Sequence, residues 1–214
     1  MNESDDPGTN YVAFNPNSMW HLNMKSMVSM IKQQLVLLSL LLVLHAASVG
    51  QRHITRNGTI RFFSEAPLEN IEAVNKQVSS ALDLETGEFV FRVLMRAFQF
   101  EKALMQEHFN DNFVESHNHP NANFVGRVVN LHEIDIGSRT PQEVTVEGRL
   151  TIKGVTREIS ETGSLTWKEG VIMGESVFSI LLADYDIRIP AAVSRNISPE
   201  IEISVDLELH ELDP

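Results

Sequence analysis

Of the chain's 214 residues, 17 are Lys or Arg and 29 are Asp or Glu, a formal net charge of −12 at pH 7. Nucleic-acid binders concentrate basic charge against phosphates, so that class is disfavoured, and acidic membrane surfaces are disfavoured by the same sign. There is no cysteine, which excludes disulfides, thiol chemistry and a lipid-modified Cys; an exported domain of this kind must be stable by burial alone.

Residues 35–44 read LVLLSLLLVL, with Lys25 and Lys32 before them and Ser48-Val49-Gly50 after. A positive flank, a short apolar core and a small-residue exit are the parts of a secretory signal peptide. A membrane span needs roughly 20 apolar residues, about twice this run, so export is expected rather than an uncleaved anchor. Glu3, Asp5 and Asp6 precede the leader without any basic residue, while Met24, Met27 and Met30 offer later starts. The expected organisation is an over-extended N-terminus over 1–23, a signal peptide over 24–50 and one folded domain over 51–214. That last segment holds fifteen Lys/Arg against twenty-six Asp/Glu.

The domain is written in period two, which gives a strand one dry and one wet face. Looser alternation covers Ile60–Ser64 and Val78–Leu84; Phe89, Phe91, Val93 and Met95 then form a dry row opposite Arg92 and Arg96. Phe100–Asn110 is the one stretch with helical spacing. Alternation resumes at Phe124–Val129 and is strict at Val144, Val146, Gly148, Leu150 and Ile152. It continues through Val155–Trp167, Val171–Leu181 and Ile201, Ile203, Val205, Leu207 and Leu209. Glu85-Thr86-Gly87, Lys153-Gly154 and Lys168-Glu169-Gly170 place glycine where hairpins need positive φ, and Gly137–Pro141 is a longer polar connection. About eight short strands joined by tight turns indicate an antiparallel barrel or sandwich. Gly126, Gly148, Gly163 and Gly174 fall on dry rows, where glycine serves either a sheet bend or simple packing against a large neighbour.

Chemical motifs are sparse. His108, His117 and His119 include an H-x-H pair, but a polar surface loop explains them more simply, and no metal or cofactor is expected. Gly174-Glu175-Ser176-Val177-Phe178 ends in Phe where a nucleophile elbow needs Gly, and it lies within a strand. Asp184 and Asp186 lack a partner acid or base. Asn57-Gly58-Thr59 and Asn196-Ile197-Ser198 fit glycosylation acceptors, although such tripeptides arise by chance. No catalytic residue is assigned. The candidate site is the dry face itself: Phe62, Phe89, Phe91, Val93, Phe124, Leu150, Ile152, Phe178 and Ile203 are expected to face one shared interior. The late connection Ile189–Pro199 is expected to fold over one end, with Arg195 placed to meet an anionic head group.

Gly148-Arg149-Leu150-Thr151-Ile152-Lys153-Gly154-Val155-Thr156 resembles the G-x-L-T-I-x-G-V-T segment of YceI-like proteins. His119-Pro120-Asn121-Ala122-Asn123-Phe124 is similar to their "YPxAxF" stretch, and Asp184-Tyr185-Asp186-Ile187 to their D-F-x-I segment. The resemblance covers Asn57–Leu209, with His119 in place of Tyr and a shorter early segment at Phe62–Asn75. It implies a lipocalin-like antiparallel β-barrel with a helix beside it and export to the periplasm. In some members a polyisoprenoid or other amphiphile threads the interior, and no enzyme activity is implied. The expected partner is therefore an apolar or amphiphilic small molecule. The rival expectation is a structural or interaction barrel filled by its own phenylalanines.

Overall fold

The computed structural model describes residues 27–35 and 52–212. The chain divides into two units, Met1–Val49 and Gly50–Pro214. In the first, residues 27–35 form an exposed helix, α1. Of the expected leader core over 35–44 only Leu35 is described, at the end of α1; the rest of it, its exit at 48–50 and the over-extended segment 1–23 lie outside the described residues. Among the described residues no helix is long and apolar enough to cross a membrane.

The second unit is an antiparallel barrel. Its strands are β1 (Arg52–Glu65), β2 (Asn70–Asp83), β3 (Glu88–Leu94), the two-residue β4 (Gln99–Phe100), β5 (Asn121–Val128), β6 (Gln142–Ile152), β7 (Val155–Lys168), β8 (Val171–Leu181) and β9 (Glu200–Glu211), with α2 (Ala103–His108) after β4. Around the barrel the order is β1-β2-β3-β5-β6-β7-β8-β9, and β1 closes it by pairing with both β2 and β9. Closure removes most of the free sheet edge that would otherwise invite aggregation.

The hairpins follow from local chemistry. Lys153 (φ 49°) and Gly154 (φ 78°) are both left-handed, as are Glu169 (φ 53°) and Gly170 (φ 85°), which is the two-residue turn whose twist matches paired strands. Between β2 and β3, the Asp83 carboxylate accepts the N–H groups of Glu85 and Thr86, both at 3.0 Å. The Thr86 bond, helped by Glu85 and opposed by burial, holds the Asp83 carboxyl below the usual range.

Strands β1 and β2 extend well beyond their predicted apolar stretches. His53, Thr55 and Asn75 are buried on the inner side of those extensions, so polar identity hid the alternation. Asn75 illustrates why this is tolerated: its amide donates to the Leu94 carbonyl at 2.8 Å and accepts the Gln77 N–H at 2.7 Å, leaving no unmet polar cost. The predicted helix at Phe100–Asn110 also needs correction. Phe100 pairs with Ala73 as part of β4, so α2 starts at Ala103 and continues as a wider π turn over Phe109–Phe113.

Leu82, Ile172 and Leu209 are fully buried at the end of the barrel where β2 turns into β3 and β7 into β8. The opposite end carries α2, the π turn and the 182–199 connection. Between β7 and β8 the ladder is short: it runs from Lys168↔Val171 only to Ser164↔Glu175. Beyond that point β7 stays paired with β6 as far as Val155, and β8 with β9 as far as Leu181. The two strands therefore part, leaving a seam in the wall. Ser176 Oγ donates to the Thr162 carbonyl at 2.6 Å where the seam begins. A 3-10 turn, Leu182–Tyr185, crosses its far end, held by Arg157 Nε donating to the Asp184 carbonyl at 2.8 Å.

Candidate functional site

The barrel encloses a cavity of about 610 Å³ with a largely apolar lining, inside the range of roughly 300–1,000 Å³ usual for small-molecule sites. Phe62, Phe89, Phe91, Val93, Phe124, Leu150, Ile152, Phe178 and Ile203 all line it. Period-two alternation on six strands brings them to one interior, since residues sharing a strand face share a side of the sheet. Phe89 and Phe124 meet at 6.0 Å between ring centroids, and Phe89 and Phe91 at 6.4 Å. The Phe124 ring lies over the paired Gly126 and Gly148, whose missing side chains leave room for it.

At the end where β1 passes to β2, Phe62 packs against Phe98, Phe100 and Phe109 at 5.4–5.5 Å. Met105, Phe109 and Phe113 also line the cavity; their i+4 spacing on α2 and the π turn was the sequence signal that could have placed them there. The Ile189–Pro199 connection contributes Pro190, Val193, Asn196 and Ile197 to the lining, as its apolar residues suggested. Arg195 is the exception. It is exposed and outside the lining; its backbone carbonyl accepts the Leu68 N–H at 3.1 Å. Pairing of the two loops fixes the backbone there and leaves the guanidinium on the outer side.

Polar lining groups escaped notice in the sequence. Glu69 forms an ion pair with Lys102 at the rim. The hydrogen bond from Lys102, helped by Asn196 and opposed by burial, keeps the Glu69 carboxyl low, and Glu69 in turn raises Lys102. Glu161 lines the cavity from the inner row of β7, and burial pushes its carboxyl above the ordinary value. His108 lies at the cavity edge, His117 is exposed, and His119 packs its ring 3.0 Å from where a Cβ on Gly154 would sit. Among the described residues no three potential ligands gather for a metal. The Ser176 hydroxyl is tied into the seam by its bond to Thr162.

A YceI-like domain model matches residues 48–209. The chain belongs to the YceI-like family. The barrel resembles a polyisoprenoid-binding domain from Saccharophagus degradans implicated in plant cell wall breakdown: TM-score 0.66 at 14% identity, covering 76% of this chain and 99% of that one. It also resembles BcnA from Burkholderia cenocepacia, with TM-score 0.58 at 15% identity over 71% of this chain and 95% of that one. A Campylobacter jejuni YceI protein has TM-score 0.50 at 15% identity, covering 65% and 84%. No curated protein matches the chain.

The YceI-like motifs serve the wall and its closure. The Lys153-Gly154 turn docks on the segment around His119: Lys153 Nζ pairs with Glu115 at 2.8 Å, and Glu115 accepts the His119 N–H through its carbonyl at 2.9 Å. Asp184-Tyr185-Asp186-Ile187 crosses the far end of the seam, with Asp186 left-handed at φ 53° and Tyr185 and Ile187 buried.

Proposed function

We propose that this YceI-like protein is an exported binding protein that sequesters or carries an apolar or amphiphilic chain molecule, of polyisoprenoid type, inside its barrel. The unfilled apolar cavity carries the reading. The phenylalanines pack one end and line the wall, yet about 610 Å³ stays open beside them, which a side-chain-filled structural barrel does not need. The fold shared with a polyisoprenoid-binding domain supports the ligand class, and the leader-like residues 24–50 support delivery to the periplasm or beyond.

The mechanism is burial rather than chemistry. Each isoprene unit contributes about 4 kcal/mol at ~0.8 kcal/mol per buried carbon, so an eight-unit chain reaches about 30 kcal/mol nominally. Noncovalent affinities saturate near 18–21 kcal/mol, and ordering a flexible chain offsets much of the gain. Cavity length, more than the quality of any one contact, then sets selectivity. Native mass spectrometry of gently purified protein tests the reading: a discrete adduct extractable into organic solvent is expected. A bare mass that stays bare after incubation with a long prenol would refute it. N-terminal sequencing of exported protein should begin at or near Gln51.

A further inference from the structure

Glu161 is an acidic side chain in a largely apolar wall. It occupies the inner row of β7 between Ile159 and Gly163, and its cross-strand neighbour on β6 is Val146. Side chains directly opposite on antiparallel strands stand about 5 Å apart, so Val146 sets hydrocarbon on one side of the carboxyl group, while the Tyr185 phenol lies within electrostatic reach of it. Among the described residues no hydrogen bond or ion pair reaches it. Arg157, four residues earlier on β7, is engaged elsewhere, donating to the Asp184 carbonyl. An unpartnered acid on an inner face is expensive for a binding barrel to keep unless something in the cavity meets it.

Its surroundings supply room for such a group. Glu161 lies just beyond Thr162 and Gly163, where β7 and β8 part. Gly163 has no side chain, and a Cβ there would meet the Glu175 carbonyl at 2.7 Å, so the wall is pinched on one side of Glu161 and open on the other. Ser176, also lining the cavity, spends its hydroxyl proton on Thr162. Glu175 also borders the cavity but stands at an exposed, outer-row position of β8, so Glu161 is the inner-row carboxylate at the seam.

We infer that Glu161 is the polar anchor of the cavity, accepting a hydrogen bond from a hydroxyl, amide or amine that heads an otherwise apolar ligand lodged at the β7–β8 seam. This rests on the carrier function proposed above and names the head group it takes. The raised carboxyl fits the site, because an acid destabilised by burial regains a partner when a donor arrives. The sign of the charge also sets a filter. Phosphate and carboxylate heads meet like charge there, with Arg157 held on the Asp184 carbonyl, so a prenol is accepted and its phosphate rejected.

Displacement of the fluorescent apolar probe N-phenyl-1-naphthylamine from the whole domain tests this with three C15 competitors that share a chain: farnesene, farnesol and farnesyl phosphate. Wild type should bind farnesol about tenfold more tightly than farnesene, the effect of one hydrogen bond to a charged acceptor, and farnesyl phosphate least. Glu161→Leu should make farnesol and farnesene equal while the melting temperature holds or rises. Glu161→Gln should keep the farnesol preference and narrow the gap to the phosphate. A Glu161→Leu protein that still prefers farnesol about tenfold overturns the anchor and leaves the carrier reading intact. A wild-type protein that takes up neither the probe nor any competitor overturns both.

Discussion

Gly126→Ala should damage this barrel far more than its size suggests. A Cβ at Gly126 would lie 2.2 Å from the Glu147 carbonyl oxygen, 2.5 Å from the Phe124 ring and 2.8 Å from the Gly148 Cα. Favourable carbon contacts begin near 3.5 Å, and two of these three obstacles are backbone, so β5 and β6 must separate by about 1 Å at their Gly126↔Gly148 pair. Overpacking costs about 1–3 kcal/mol, and weakening one or two ladder bonds adds about 0.5–1.5 kcal/mol each. A loss of about 3 kcal/mol in a domain of this size lowers Tm by about 6–12 °C. Gly174→Ala is the matched control. Its nearest neighbour would be Leu165 Cδ2 at 3.5 Å, an ordinary contact, and removing a glycine restricts the unfolded chain, so Tm should hold or rise slightly. Thermal and urea unfolding of both variants decides the matter. A Gly126→Ala protein melting within 2 °C of wild type, or a Gly174→Ala protein as unstable as Gly126→Ala is expected to be, would refute the close-approach reasoning.

Asp83→Ala should cost about 1–2 kcal/mol by stranding the Glu85 and Thr86 N–H groups, with probe binding unchanged because the turn lies at the end away from the aromatic cluster. The Asp83 carboxyl is depressed in the folded protein, so its contribution is present above the unfolded carboxylate value near 3.9 and lost as pH falls through the lower folded value; the variant should show a shallower acid dependence of Tm below about pH 5. Phe109→Ala removes a ring packed on Phe62, Phe98 and Phe100 and should cost about 2–3 kcal/mol while speeding probe release in stopped-flow experiments; unchanged release would show that ligand leaves by another route. Arg195→Ala changes an exposed side chain and should alter stability by less than about 0.5 kcal/mol and leave retention of a neutral prenol intact; a loss of prenol retention would return Arg195 to the site.

The nine apolar wall residues were legible because each sits in a run where dry and wet positions alternate, and closure of the sheet then points every dry row inward. Phe89 and Phe91 opposite Arg92 are the clearest case. Val193 and Ile197 were legible as cover for one end because a solvated loop gains nothing from them. Arg195 was not, since sequence says which residues a loop holds but not which side of it each side chain takes. Glu161 escaped for the opposite reason: alternation with Ile159 and Gly163 puts it on the inner row, but an acidic residue reads as wet wherever it falls, and the register with Val146 is what settles its side. The seam was invisible as well. Alternation in β7 and β8 runs the full length of both strands, while pairing between them stops at Ser164↔Glu175, a property of the pair that neither strand's pattern carries. Asn75 and His53 hid the extended β1 and β2 because both are buried polar residues, and the burial of Asn75 depends on the Leu94 carbonyl, distant in sequence.

The most direct test of an apolar-chain carrier is a titration of prenols of increasing length against probe-loaded protein. With a site defined by cavity length, affinity should climb with each added isoprene unit until the chain fills the 610 Å³ interior, then level off. Affinity that is flat from the shortest prenol onward, or probe that no prenol displaces, would contradict it.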